Sequence, residues 1–317
     1  MASKKRLVSG IKPTGDLHLG NYFGAMRQFL DYQEEYESHL FIADYHALTT
    51  AYEPEKLRES IYRVAAGYIA IGIDPKKVTL YKQSDISEHS ELAWVFNCIT
   101  TMPFLMRAHA FKDAEAKNKE ISVGTFDYPM LMAADILIYG ADVVPVGKDQ
   151  QQHIEIARDT AEKFNSRYGQ TFKLPEALIR EEVATVPGVD GQKMSKSYKN
   201  TIPLFGSKDE VANAVMGIVT DSDGEFPEYV YEIHKLFRGE DELKPLYGEN
   251  KSNYKALKEA LIADAEKVLS PMREKYNALL SDKAELEKTL VAGSEKVKEL
   301  ASEKMMDVRK KVGVSLN

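Results

Sequence analysis

What most narrows the fold of this chain is an alternation: apolar runs of strand length, each followed by a turn and a helical repeat, continue through about the first 200 of 317 residues. The run Arg6 to Ile11 ends in Lys12-Pro13-Thr14-Gly15, and residues 19–36 then carry Phe23, Met26, Phe29 and Leu30 at helical spacing. Residues 40–43 make a second strand. Pro54, at a tolerated first-turn position, opens a helix that runs to about Ile71, with Gly72 near its stop. A third strand at 78–81, helical patterns at 87–99 and 125–139, a strand at 143–146 and a helix over about 149–164 complete the series. Strands alternating with helices predict βαβ units and therefore an α/β, doubly wound, mostly parallel sheet. Ligands of such a sheet sit at the carboxyl ends of the strands, where the strand order reverses.

Beyond about Thr201 no convincing strand remains. Leu257, Leu261, Val268, Met272, Tyr276 and Leu279 share one helix face, with Lys and Glu elsewhere. The expected organisation is an α/β domain over 1–200 and a smaller α-helical domain over 201–293. A further helix over about 294–317, carrying Ser294, Val297, Leu300, Met305 and Val308, is expected to pack back on the first domain.

The 42 Lys and Arg against 49 Asp and Glu give a net charge of −7, which excludes indiscriminate attraction to nucleic acid and leaves room only for a local basic patch. The single cysteine, Cys98, excludes an internal disulfide and any multi-cysteine metal site, and fits a reducing compartment. It reads as a small buried hydrophobe. The basic start, Met1 to Leu7, leads into Val8-Ser9-Gly10 without the apolar region of a signal peptide, and no apolar run has membrane-spanning length. The cytoplasm is the expected location.

Several catalytic fingerprints are missing. Gly147-Lys148 is followed by Asp149 where a P-loop needs Ser or Thr, and no GxGxxG follows the first strand. Neither HExxH nor GxSxG occurs. What stands out is Lys193-Met194-Ser195-Lys196-Ser197, placed after Pro187-Gly188-Val189-Asp190-Gly191, a glycine-bearing stretch that reads as a mobile loop able to swing two lysines onto phosphates. The first strand–turn–helix carries His18-Leu19-Gly20-Asn21, where glycine permits close approach of a nucleotide and a helix start offers N–H groups.

The two motifs resemble the KMSKS and HIGH-like signatures of class I aminoacyl-tRNA synthetases. Within that class, Tyr128-Pro129-Met130-Leu131-Met132-Ala133-Ala134-Asp135 and Val144-Pro145-Val146-Gly147-Lys148-Asp149-Gln150 resemble the bacterial-type tryptophanyl-tRNA synthetase family, as do Ser9 to Gly15 and Asp44-Tyr45-His46-Ala47. The resemblance covers at least residues 8–200 and implies a Rossmann-like catalytic domain with an anticodon-binding helical tail. The sister tyrosyl enzymes grip a phenol hydroxyl with Tyr-x-x-x-Gln-x-x-Asp. Here Met132 replaces the glutamine, giving an apolar wall for a flat indole, while Asp135 can accept the indole N–H. A hydrogen bond to a charged acceptor contributes about 1.5–3 kcal/mol, and leaving that acceptor unpaired penalises phenylalanine.

The resemblance implies ATP-dependent activation of tryptophan to its adenylate, release of pyrophosphate, and transfer to tRNA(Trp). Lys193 and Lys196, with Mg²⁺ brought in by ATP, would neutralise the pyrophosphate, and His18 and Asn21 would line the phosphate path. Gly20 and Met194 would lie near the adenosine, and Lys12, Pro13, Thr14, Gly147, Lys148, Asp149, Val186, Ser195 and Ser197 at further ATP contacts. Tyr128, Gln150 and His46 would hold the ammonium and carboxylate of tryptophan, with Val8 against the ring. Lys12 stands where many members have Gln, Lys148 where many have Glu, and Val8 where an aromatic is common. Family members are symmetric dimers, so a homodimer is expected. Lys251, Lys255, Lys258, Lys267, Arg273 and Lys275 are candidates for tRNA phosphate contacts. The competing readings are a tyrosyl-type synthetase, a synthetase-like RNA-binding protein without catalysis, and a nucleotidylyltransferase of the same fold type.

Overall fold

Among the described residues, five strands form one parallel sheet in the order β3-β2-β1-β4-β5: β1 (Arg6–Ile11), β2 (Glu37–Ile42), β3 (Thr79–Lys82), β4 (Val143–Pro145) and β5 (Glu176–Leu178). The computed structural model describes residues 4–50, 53–108, 111–112, 115, 120–147, 150–179, 186–220, 226–251 and 253–316. Successive strand residues point to opposite faces, and both faces are covered. Leu7, Leu40, Leu80 and Val143 enter one core cluster, while their neighbours Val8, Phe41, Tyr81 and Val144 enter the other. That double burial is why the strands read as unbroken apolar runs and not as alternations.

The connections are helical: α1 (Gln28–Glu35), α2 (Pro54–Ala70), α3 (Glu88–Ile99), α4 (Val123–Leu137) and α5 (Gln151–Tyr168). The chain moves outward from β1 to β3 and then returns to β4 on the other side of β1, so the order reverses between β1 and β4. Two features differ from the expectation. The helix over 19–36 is broken into an α turn at Leu19–Asn21, a π turn at Tyr22–Met26 and then α1, a local widening that apolar periodicity does not register. The short strand β5 was not anticipated, because its three residues Glu-Ala-Leu are too few to set a pattern.

After Thr201 the described residues form α6 (Lys208–Met216), α7 (Glu228–His234), α8 (Glu240–Glu249), α9 (Tyr254–Ser281) and α10 (Lys283–Val312). A capping box opens α6: Ser207 Oγ accepts the Glu210 N–H at 3.2 Å and Glu210 Oε2 accepts the Ser207 N–H at 2.7 Å. In α9 the buried seam is Leu257, Leu261, Ala265 and Leu269, with Val268 turned partly outward. His234 of α7 joins α8 and α9 through Tyr247 Oη at 3.1 Å and Asp264 Oδ2 at 3.0 Å.

The last helix, α10, runs without a break through residues 293–294 and lies along β3, the outer strand of the sheet. The approach is backbone to backbone: a Cβ placed on Gly293 would stand 1.9 Å from the Leu80 carbonyl oxygen. Val297, Ala301, Met305 and Val308 are buried, and Ser302 and Arg309 hydrogen-bond Glu88 and Glu91 of α3 at 2.7 Å each. The helix thereby covers an edge that would otherwise be open to pairing. Cys98 is exposed on α3, contrary to its reading as a buried hydrophobe. It lies one turn beyond the exposed Trp94, on the side of the helix turned away from Phe96 and Ile99.

Candidate active site

The carboxyl ends of β1 and β4, on either side of the reversal, open into a cavity of about 440 Å³. β1 contributes Val8 and Gly10, β4 contributes Val144 and Pro145, and α4 contributes Tyr128, Met132 and Asp135. Those α4 residues fall at i, i+4 and i+7 and therefore face the same way. His46 and Gln150 complete the wall, so Val8, His46, Tyr128, Met132, Asp135 and Gln150 are brought together in one place. Lys12 lines the same cavity and donates to Thr49 Oγ1 at 2.9 Å, and burial lowers its pKa.

Asp135 is the electrostatic centre of this cavity, with 1% of its surface exposed. One carboxylate oxygen, Oδ1, accepts from Gln83 Nε2 at 2.8 Å and His89 Nδ1 at 2.5 Å, and the other, Oδ2, accepts from His46 Nε2 at 2.8 Å. Burial opposes ionisation, but the hydrogen bonds from His46 and His89 outweigh it and hold the carboxyl below its ordinary range. It is therefore a carboxylate at neutral pH, an acceptor only. His89, Gln83 and Tyr139, together with His153, which meets Tyr128 Oη at 2.6 Å, carry no motif and were not found from the sequence.

The second half of the site lies beyond the β1 turn. His18 is 7% exposed, with Nδ1 lacking a partner among the described residues. Burial, aided by the charge of Lys196, pushes its pKa down to about 4, so at neutral pH it is an uncharged imidazole. Asn21 Oδ1 accepts the His18 N–H at 3.1 Å, and Gly20 N–H points at Met194 Sδ at 3.2 Å. Lys196 donates to the carbonyl of Thr14, next to Pro13, and partial burial lowers its pKa. The lysine pentamer therefore lies across the β1 turn, although some 180 residues separate the two in sequence.

The loop carrying it is stapled by one buried side chain. Asn200 Oδ1 accepts the Ser195 N–H at 2.8 Å, while Asn200 Nδ2 donates to Asp190 Oδ1 at 2.7 Å and to the Lys193 carbonyl at 3.2 Å. Ser195 Oγ accepts the Ser197 N–H at 3.3 Å, and Met194 N–H donates to the Val186 carbonyl at 2.9 Å. Gly188 abuts Asn200 so closely that a Cβ there would stand 2.3 Å from Nδ2. The loop read as mobile is here folded around Asn200, a residue without a motif to mark it. Val186 is a buried core residue behind the pentamer. Gly147 is exposed at the end of β4, and Lys148 and Asp149 lie outside the described residues.

Two of the basic candidates are otherwise engaged. Lys258 is 8% exposed and donates to the carbonyls of Met216 and Ile218 at 3.0 and 2.6 Å. Arg273 is committed to Glu266 and to the carbonyl of Gly206. Both brace the helical region and face no solvent phosphate. Lys267 is exposed beside Asp264, and Lys251, Lys255 and Lys275 are exposed.

The family model described as tRNA synthetases class I (W and Y) matches residues 2–287. A tryptophan–tRNA ligase of Campylobacter jejuni is 44% identical over 98% of this chain and 100% of its own length. One from Fusobacterium nucleatum is 45% identical over 98% of each chain. Among solved structures, tryptophanyl-tRNA synthetase from Campylobacter jejuni complexed with ADP and tryptophan is similar at a TM-score of 0.92 and 43% identity, covering 97% of this chain and 99% of that one.

Proposed function

The chain belongs to the class I tRNA synthetases of the tryptophan and tyrosine type, and from that membership we propose that it is a tryptophan–tRNA ligase. It activates L-tryptophan with ATP and passes the aminoacyl group to tRNA(Trp). The observation that carries the choice of amino acid is Asp135, a buried carboxylate in a cavity whose apolar lining includes Met132 and Val8. An indole presents a flat apolar face and one N–H donor, and Met132 and Val8 offer it apolar surface while Asp135 offers it an acceptor.

In the first step the tryptophan carboxylate oxygen attacks the α-phosphorus of ATP; a C–O–P bond forms, the Pα–O bond to the β-phosphate breaks, and pyrophosphate leaves. The nucleophile is already ionised, so the protein's task is positioning and charge neutralisation. Tyr128, Gln150 and His46 are the proposed holders of the substrate's ammonium and carboxylate. Lys193 and Lys196 are the proposed neutralisers of the pyrophosphate. His18, being uncharged, serves the phosphate path as a hydrogen-bonding group and not as a cation. Pro13, Thr14, Gly20, Asn21, Gly147, Lys148, Asp149, Met194, Ser195 and Ser197 are retained as proposed ATP contacts, as is Lys12, which lines the cavity. We assign Mg²⁺ to the nucleotide phosphates, as part of the MgATP substrate.

The helical region over 201–293 is the proposed anticodon-contacting part, with Lys251, Lys255, Lys267 and Lys275 as its candidate phosphate contacts. A homodimer is supported by exposed apolar side chains concentrated between residues 94 and 123, among them Trp94 at 69%, Met102 at 66% and Val123 at 77% exposure. No helix among the described residues is long and apolar enough to cross a membrane, and the cytoplasm is the proposed location. ATP–pyrophosphate exchange with each of the twenty amino acids tests the reading: exchange with tryptophan alone is expected, and exchange with tyrosine but not tryptophan overturns it. Charging of a tRNA(Trp) transcript tests the second step.

A further inference from the structure

We infer that His89 and Gln83 are positioning residues for amino-acid choice: they saturate Asp135 Oδ1 and so leave Oδ2 as the one oxygen free to take the indole N–H. The inference rests on the reading of Asp135 as the indole acceptor. A carboxylate oxygen has two lone-pair directions. Both directions at Oδ1 are used, by Gln83 Nε2 at 2.8 Å and His89 Nδ1 at 2.5 Å. Oδ2 has one, from His46 Nε2 at 2.8 Å, and retains the other toward the cavity that Asp135 lines.

The orientation of each positioning group is fixed in turn. Gln83 is fully buried, and its Oε1 accepts the backbone N–H groups of Tyr45 and His46 at 3.1 and 3.4 Å. Its amide can therefore present only NH₂ to Asp135, and the same contacts anchor the turn that carries His46. His89 is also fully buried, with Nδ1 against the carboxylate and Nε2 2.6 Å from Tyr139 Oη. Facing a carboxylate, Nδ1 is the donating nitrogen, and in the tautomer protonated there Nε2 accepts the Tyr139 O–H. Tyr139 O–H, His89 and Asp135 Oδ1 thus form a directed chain reaching the cavity from behind. Without it the carboxylate could rotate about its Cβ–Cγ bond and present either oxygen.

The test compares tryptophan with 3-(benzothiophen-3-yl)alanine, which has the same shape but sulfur in place of the N–H. The ratio of kcat/KM values in ATP–pyrophosphate exchange isolates recognition of that one hydrogen. His89→Leu is expected to collapse the ratio at least tenfold. His89→Asn, which keeps a donor at the Nδ1 position, retains most of it, and Tyr139→Phe lowers it by a smaller factor. KM for ATP stays within twofold throughout. A merely structural role would depress both amino acids alike, so an unchanged ratio in His89→Leu overturns the inference. If that variant does not fold, an unchanged ratio in Tyr139→Phe does so. Asp135→Asn is run alongside: should it leave the ratio intact, the acceptor reading itself has failed, and should it alone collapse the ratio, only the role of His89 has failed.

Discussion

Replacing Asn200 by alanine should disable the lysine loop while leaving the tryptophan cavity whole. The side chain is 1% exposed and makes three hydrogen bonds, to Ser195, Asp190 and Lys193, which close the loop on itself. At about 1 kcal/mol net for each bond, the staple favours the ordered loop by about 3 kcal/mol. Since about 1.4 kcal/mol corresponds to a factor of ten, the ordered fraction falls at most ~100-fold when the staple is removed. The exchange kcat should therefore drop between ~10- and ~100-fold. The dissociation constant for tryptophan, measured by calorimetry without ATP, should stay within twofold, because the side-chain hydrogen bonds of Asn200 among the described residues go to Ser195, Asp190 and Lys193, none of which lines the cavity. Asn200→Asp should do no better than alanine: it keeps the acceptor for Ser195 but sets a second carboxylate against Asp190, 2.7 Å from the lost donor. A kcat within twofold of the parent enzyme would refute the reasoning, as would a loss of tryptophan binding that matches the loss of kcat.

Other substitutions probe the framework. Gly293→Ala, which in an ordinary helix interior stabilises by about 1 kcal/mol, should destabilise by about 2 kcal/mol net, because the new methyl meets the Leu80 backbone and not a movable side chain; a urea midpoint equal to or above the parent's would show that α10 is not seated there. Lys258→Ala should cost about 2–3 kcal/mol of stability through its two lost carbonyl contacts. Lys255→Ala should leave stability unchanged and weaken tRNA binding in a salt-dependent way, and identical behaviour of the two variants contradicts the distinction. For His18, the folded pKa of about 4 lies below the ordinary 6.5, so the unfolded chain binds the extra proton between those values. Its contribution, about 3 kcal/mol, is complete above pH 6.5 and disappears as pH falls toward 4. His18→Asn should flatten the fall in urea midpoint across that window, and parallel slopes for the two proteins would contradict the assignment.

The strands were legible because both faces of the sheet are buried, which forces Leu7-Val8, Leu40-Phe41, Leu80-Tyr81 and Val143-Val144 to be apolar at adjacent positions. Local signals of that kind are blind to distance. They could not show that α10 crosses residues 293–294 as one helix and lies on β3, nor that Lys258 turns inward to cap carbonyls at the end of α6 and just beyond it. The candidate site divides in the same way. His18, Asp135 and the lysine pentamer were visible as motifs, whereas the donors around Asp135 lie 89, 52 and 46 residues from it and follow no spacing rule. Yet part of the missing information was implied. A carboxylate in so apolar a stretch of helix as Met130 to Ile138 has to be buried, and a buried charge persists only where hydrogen-bond donors satisfy it. The existence of such donors followed from Asp135 alone; their identity needed the topology, which brings the end of β3 and the start of α3 against α4. The same requirement limits what the site can select, since each lone pair given to an internal donor is one the substrate can no longer use. With Oδ1 filled, Asp135 offers one acceptor direction, and an amino acid whose side chain bears a single well-placed N–H is what that direction rewards.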